Sequence, residues 1–181
     1  AVCFADANAE QFEPDIDRIR DMYAAALKSN PFCSVQLSGG EPTVREDLPE
    51  IIRLGKAMGV VHLQVNTNGI KLANVPGYAQ KLKDAGCDLI YLQFDGLDDA
   101  IYREIRTRDM LDIKLRAIEN CEKAGLAILL VPVVIPGVNL HRIGEIVEFA
   151  KKHIPTIRGI HFQPVSYFGR FPGNVPPDES R

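Results

Sequence analysis

Five short apolar runs, separated by segments with helical spacing, limit this chain to a small set of folds. The runs are 33–37, 60–65, 89–94, 127–135 and 157–162. Most are β-branched or aromatic and apolar on both faces, as expected of parallel strands covered on both sides. Between them lie stripes at helical spacing: Leu48, Ile51, Ile52, Gly55 and Met58; Tyr78, Leu82 and Ala85; Leu111, Leu115, Ile118 and Cys121; and Ile143, Ile146, Val147 and Ala150. A leading stripe of Ile16, Ile19, Met22, Tyr23 and Ala26 has no strand before it, and Pro14 stands at its first turn. The runs start roughly thirty residues apart, the length of a βαβ unit, whose crossovers are right-handed. The expected fold is therefore α/β: a partial (β/α)6 TIM-type barrel of parallel strands, with its first strand missing from this chain. A doubly wound sheet is the alternative. Residues 1–171 read as one core, and 172–181, rich in Pro and polar residues, as a tail or linker.

Composition narrows the function classes. The 181 residues carry a net charge of −3, without the basic excess of a nucleic-acid binder. The longest apolar run is interrupted by Pro132 and is too short to span a membrane. No secretory leader is legible, so a cytoplasmic location is expected. Cys3, Cys33, Cys87 and Cys121 are far apart in sequence and form no zinc ribbon or redox pair. Cys87, Cys121 and Cys33 read as packing residues.

The polar residues collect where the runs end: Ser38-Gly39-Gly40-Glu41-Pro42, Asn66-Thr67-Asn68-Gly69, Asp95-Gly96, Pro136-Gly137-Val138-Asn139 and Gln163-Pro164-Val165-Ser166. Any one of these is an ordinary turn. In a parallel sheet, however, all five share one edge, where ligands bind. The Gly-Gly-Glu-Pro loop combines close backbone approach with a carboxylate. That combination suits a cation such as an ammonium group and is poor for phosphate.

These loops, in this order, resemble the radical S-adenosylmethionine (SAM) superfamily. Its members carry a CxxxCxxC loop, then Gly-Gly-Glu-Pro, then a polar turn. The resemblance implies that Cys3 is the third cysteine of a [4Fe–4S] site and that two further cysteines lie upstream of Ala1. It implies that the cluster, on reduction, cleaves SAM to a 5′-deoxyadenosyl radical that activates a substrate C–H bond. Carried over by position, it implicates Ser38, Gly39, Gly40 and Glu41 at the SAM amino group. Asn66, Thr67 and Asn68 fall at its ribose or carboxylate. Gln93 and Asp95 face the ribose or the substrate, Val134 and Pro136 lie at the adenine, and Gln163 closes that side. Arg106 reads as a solvated helix residue, with a SAM carboxylate clamp as the alternative. The phrases Cys3-Phe4-Ala5, Gln93-Phe94-Asp95-Gly96 and His161–Arg170 (His-Phe-Gln-Pro-Val-Ser-Tyr-Phe-Gly-Arg) resemble the pterin-methylating and tetraether-lipid branch. The molybdenum-cofactor cyclases and the peptide-modifying enzymes are alternatives. A small-molecule or peptide substrate and an electron donor such as ferredoxin or flavodoxin are implied as partners. Two rival classes remain. A non-radical barrel enzyme would want a nucleophile or metal set at the strand ends, and His62 and His161, placed within strands, do not share a site. An inert SAM-binding module would keep the loops and lack the upstream cysteines.

Overall fold

The structure, a computed structural model, describes residues 13–165. Cys3, Ser166 and the boundary at residue 171 lie outside the described residues. Seven helices and seven strands follow one another among the described residues as α1 (Ile16–Ser29), β1 (Ser34–Leu37), α2 (Leu48–Met58), β2 (His62–Thr67), α3 (Ile70–Asn74), α4 (Tyr78–Ala85), β3 (Leu89–Gln93), α5 (Asp99–Arg106), α6 (Leu111–Lys123), β4 (Ala127–Val131), β5 (Val133–Val134), α7 (Ile143–Lys152), β6 (Ile157–Ile160) and β7 (Gln163–Pro164). Strands β1-β2-β3-β4-β6 form one sheet in chain order, all parallel. This is the expected α/β architecture.

Strand pleat sorts the residues to two faces. Leu63 and Val65 of β2, Ile90 and Leu92 of β3, and Ile128 and Leu130 of β4 pack against helix residues such as Ile52, Leu82 and Ile118 in one core. The opposite, inner face carries Gln36, Gln64, Leu89 and Ala127 in one row and Asn66, Tyr91 and Leu129 in the next.

Several boundaries differ from the sequence expectation, each for a physical reason. The run 127–135 divides into β4 and β5 because Pro132 has no N–H for the ladder. Beyond it, β5 leaves the main sheet and pairs with β7. The run 157–162 yields a strand only as far as Ile160, so His161 lies between β6 and β7 rather than within a strand. β2 starts two residues later than expected. Gly59, at φ 105°, caps α2, and Val60 still donates to the Gly55 carbonyl. The strand therefore runs to Thr67, and Asn66 and Thr67 end a strand instead of forming a turn. Short helices α3 and α5 add to the single helices expected in those two crossovers. Pro14 precedes the cap of α1, where the Asp15 carboxylate accepts from the Arg18 N–H at 2.8 Å.

The stripe on α6 is rotated relative to expectation. Its buried residues are Lys114, Ala117, Ile118 and Cys121, while Leu115 is 40% exposed. Met22 of α1 likewise faces outward. Among the described residues, no helix is long and apolar enough to cross a membrane.

Candidate active site

The C-terminal ends of the parallel strands form a rim, and side chains tie its loops together. Glu41 follows β1 and caps the 3-10 turn Pro42–Val44. Its Oε1 accepts from the Thr43 N–H at 3.1 Å, the Thr43 hydroxyl at 2.6 Å and the Thr67 hydroxyl at 2.6 Å. Its Oε2 accepts from the Asn68 N–H at 2.7 Å. Three donors thus share Oε1 and one engages Oε2, which keeps a lone pair for a further donor. Glu41 thus fastens the loop after β1 to the end of β2. Thr67 can reach it because β2 extends to that residue and the Thr67 side chain lies on the buried face.

Ser38, Gly39 and Gly40 stand exposed beside this fastening. Gly39 has φ 148°, and a Cβ there would meet nothing within 4 Å. Backbone conformation, not crowding, calls for glycine. Asn66 lies on the inner face and donates to the Ser38 hydroxyl at 3.4 Å. Asn68 accepts from the Ile70 N–H through Oδ1 at 2.9 Å and from Lys114 Nζ through its carbonyl at 2.6 Å. The next residue, Gly69, has φ 82°, and a Cβ there would lie 2.7 Å from Leu92 Cδ1. This turn therefore has room for neither a side chain nor an ordinary backbone conformation.

Asp95 follows β3 and is wholly buried. Arg106 of α5 approaches it sideways, with Nε 2.8 Å from Oδ2 and a terminal nitrogen 3.1 Å from Oδ1. Oδ1 also accepts from the Val133 N–H at 3.0 Å. With its amide oxygen turned to the guanidinium, Gln93 accepts from the same Arg106 at 2.9 and 3.0 Å. The solvated helix face expected for Arg106 is thus overturned: its side chain is only 10% exposed. Arg103 and Arg108 do face solvent, and Arg103 pairs with the exposed Asp109. Asn139, also buried, donates to the carbonyls of Asp95 at 2.9 Å and Val133 at 2.8 Å and accepts from the Ile135 N–H at 2.8 Å. It anchors the loop bearing Pro136 and Gly137 to the end of β3. Val134 is half-buried, and Pro136 and Gln163 are exposed.

The structure thus brings Glu41, Asn66, Thr67, Asn68, Gln93 and Asp95 to one rim, with Val134, Pro136 and Gln163 on the side of β4 and β6. Sequence reading missed Lys114 and Asn139 as rim residues. Lys114 carried one signal: it sits three and four positions before Ala117 and Ile118 on the apolar stripe. Asn139 was legible only as part of a polar loop.

Cys87 and Cys121 are buried in the core, as expected, and burial pushes both thiols up to about 12. They stay protonated, whereas a metal ligand must be a thiolate. Cys33 is half-buried. Among the described residues, no three His, Cys, Asp or Glu side chains are placed to hold a metal ion.

A parallel α/β sheet open as a partial barrel, with its polar loops gathered at the strand C-termini, defines a barrel-type ligand-binding enzyme core. Residues 3–150 match the family model of the Radical SAM superfamily, and the chain belongs to that superfamily. Over 173 residues it is 46% identical to the 7,8-dihydro-6-hydroxymethylpterin dimethyltransferase of Methanocaldococcus jannaschii, covering 93% of this chain and 34% of that protein. It is 37% identical over 133 residues to the probable GTP 3′,8-cyclase of Sulfolobus acidocaldarius, covering 73% and 42%. The chain therefore spans between a third and a half of these relatives' lengths. In fold it is similar to SuiB of Streptococcus suis, solved with S-adenosylmethionine, at TM-score 0.72 and 19% identity, over 91% of this chain and 37% of that one.

Proposed function

We propose that this chain is the SAM-binding core of a radical SAM enzyme that modifies a carbon centre of a small, uncharged ring substrate by methylation. The observation that carries the reading is the Glu41 fastening. It draws the exposed Ser38–Gly40 backbone, Asn66 and Asn68 to a single mouth, which is the geometry needed to cradle a polar nucleotide. The donor set fits SAM. Exposed backbone beside Gly39 suits an ammonium group, the amides of Asn66, Asn68 and Gln93 suit ribose hydroxyls and a carboxylate, and Val134 with Pro136 suits an adenine face. Asp95 acts from beneath, holding Arg106 and the Val133 N–H so that the loops after β3 and β4 keep their places. Cys3, outside the described residues, is the proposed ligand to a [4Fe–4S] cluster. When bound, that cluster supplies the electron that cleaves SAM and so opens C–H chemistry.

Two observations favour a pterin-like substrate. The dimethyltransferase match extends over more of this chain, at higher identity, than the cyclase match. The inner face between β1 and β4 presents Gln36, Gln64, Asn66, Tyr91 and Gln93 without a formal charge among them. Gln64 Oε1 is buried there with no hydrogen-bond partner. A triphosphate would instead want cations.

The test uses the full-length protein, reconstituted anaerobically with iron and sulfide and reduced with dithionite. With SAM it is expected to release 5′-deoxyadenosine, and with a reduced 6-hydroxymethylpterin to yield a methylated ring. Absence of 5′-deoxyadenosine would sink the radical reading. Cyclisation of GTP in place of pterin methylation would move the chain to the cyclase group.

A further inference from the structure

Lys114 is the one lysine among the described residues whose side chain has no exposed surface. It rises from the first turn of α6 into the space beneath the rim. Its Nζ donates to the Asn68 carbonyl at 2.6 Å and lies 6.0 Å from the Tyr102 ring centre. The charged groups that face it come from every neighbouring loop: Asp95 after β3, Arg106 at the end of α5, Arg108 beyond it and Glu41 after β1. Burying an ammonium is costly, and Met would fill much the same space without that cost. The residue therefore needs a reason to be lysine. The Asn68 carbonyl supplies one, because the N–H of the same residue seats Glu41 Oε2 at 2.7 Å.

We propose that Lys114 is a positioning residue for SAM: by holding the Asn68 carbonyl from below, it fixes the turn through which Asn68 seats the Glu41 carboxylate. This rests on the reading of the rim as the SAM site. Lys114 does not touch the ligand. It acts through Asn68 and then Glu41 on the Ser38–Gly40 backbone.

A purely structural lysine and a positioning lysine respond to pH with opposite signs. Burial lowers the Lys114 pKa from 10.5 to about 7, outweighing the opposing pull of Asp95. Between these values the unfolded chain binds more protons than the folded one. The lysine's effect on stability therefore favours folding increasingly as pH rises through that window, and disfavours it as pH falls. The bond to Asn68 runs the other way. An ammonium holds a carbonyl about twice as strongly as a neutral amine does. SAM affinity is therefore expected to weaken, by about fivefold, as pH rises through 7 to 8.5, while stability does not fall.

The experiment measures the SAM dissociation constant of the full-length, cluster-reconstituted protein by equilibrium dialysis between pH 6 and 9. Wild type is compared with Lys114→Met and Lys114→Arg, and thermal midpoints are recorded alongside. The SAM amino group titrates alike in all three proteins, so the difference between profiles is the readout. Lys114→Met is expected to bind SAM about fivefold more weakly at pH 6 and to converge on wild type at pH 8.5. Lys114→Arg, always charged, is expected to lose the difference in slope. Lys114→Met binding with the wild-type constant at every pH would overturn the proposal alone. Absence of SAM binding by wild type would overturn the SAM reading and the proposal with it. Should Lys114→Met not fold, the wild-type protein labelled with [ε-13C]lysine still decides the matter. A buried lysine signal titrating near neutrality, without a matching fall in SAM affinity, would overturn the proposal, and a parallel fall supports it.

Discussion

Replacing Asp95 by Ala is expected to destabilise the protein by about 3–5 kcal/mol, the cost of stripping one partner from a buried ion pair. The reason is geometric. Arg106 is only 10% exposed and its partner is wholly buried, so the substitution leaves a mostly buried guanidinium with the neutral Gln93 amide in place of a carboxylate. The Val133 N–H loses its acceptor in the same substitution. For a chain of this size the melting temperature should fall by roughly 6–20 °C. Urea unfolding would measure the loss, and the double variant Asp95→Leu/Arg106→Leu separates its causes. An apolar pair of similar volume is often close to neutral, so the double variant should recover much of the stability. A single variant that unfolds like wild type would show that the pair does not hold the rim.

The second large effect is expected at Glu41. In Glu41→Gln, an amide oxygen can still accept from Thr43 and Thr67, but the NH2 group then faces the Asn68 N–H, donor against donor. SAM affinity should weaken by about 1–3 kcal/mol, the range for losing a charge-assisted hydrogen bond. Calorimetric titration of the reconstituted full-length protein would read it. Four protein donors hold the carboxylate in place, three on Oε1 and one on Oε2, and the effect is expected to arrive through displacement of the Ser38–Gly40 backbone. Its signature is a Glu41→Ala variant that binds SAM no worse than Glu41→Gln. An unchanged dissociation constant in both would remove Glu41 from the site.

The order of strands and the sharing of one rim were legible because apolar runs and turn residues obey rules of short range. Pro132 was visible too, but its consequence was not. The missing N–H ends the main-sheet ladder at Pro132, and the residues beyond it form a strand by pairing elsewhere. Their partner is β7, far along the chain at Gln163–Pro164. The register of β2 depended on how the Gly59 cap uses Val60, a detail of backbone geometry. Arg106 and Lys114 were misread or missed for a common reason. A long cationic side chain on a helix is normally solvated. The acceptors that draw these two inward, the Asp95 carboxylate and the Asn68 carbonyl, are supplied by loops 11 and 46 residues away in sequence. Helical periodicity does not report such partners.

The largely buried Asp95–Arg106 pair separates the electrostatics of the rim from those of the outer surface. Exposed pairs such as Arg103–Asp109 and Lys123–Glu119 are open to dissolved ions, and their attraction fades once the Debye length falls to about 3 Å near 1 M salt. The Asp95 carboxylate has no exposed surface and Arg106 only 10%, so dissolved ions screen this pair much less. Concentrated electrolyte should therefore loosen the helical exterior while the loops above β3 and β4 keep their spacing. The spacing of the loops above β3 and β4 is thus set by a contact that dissolved salt reaches least.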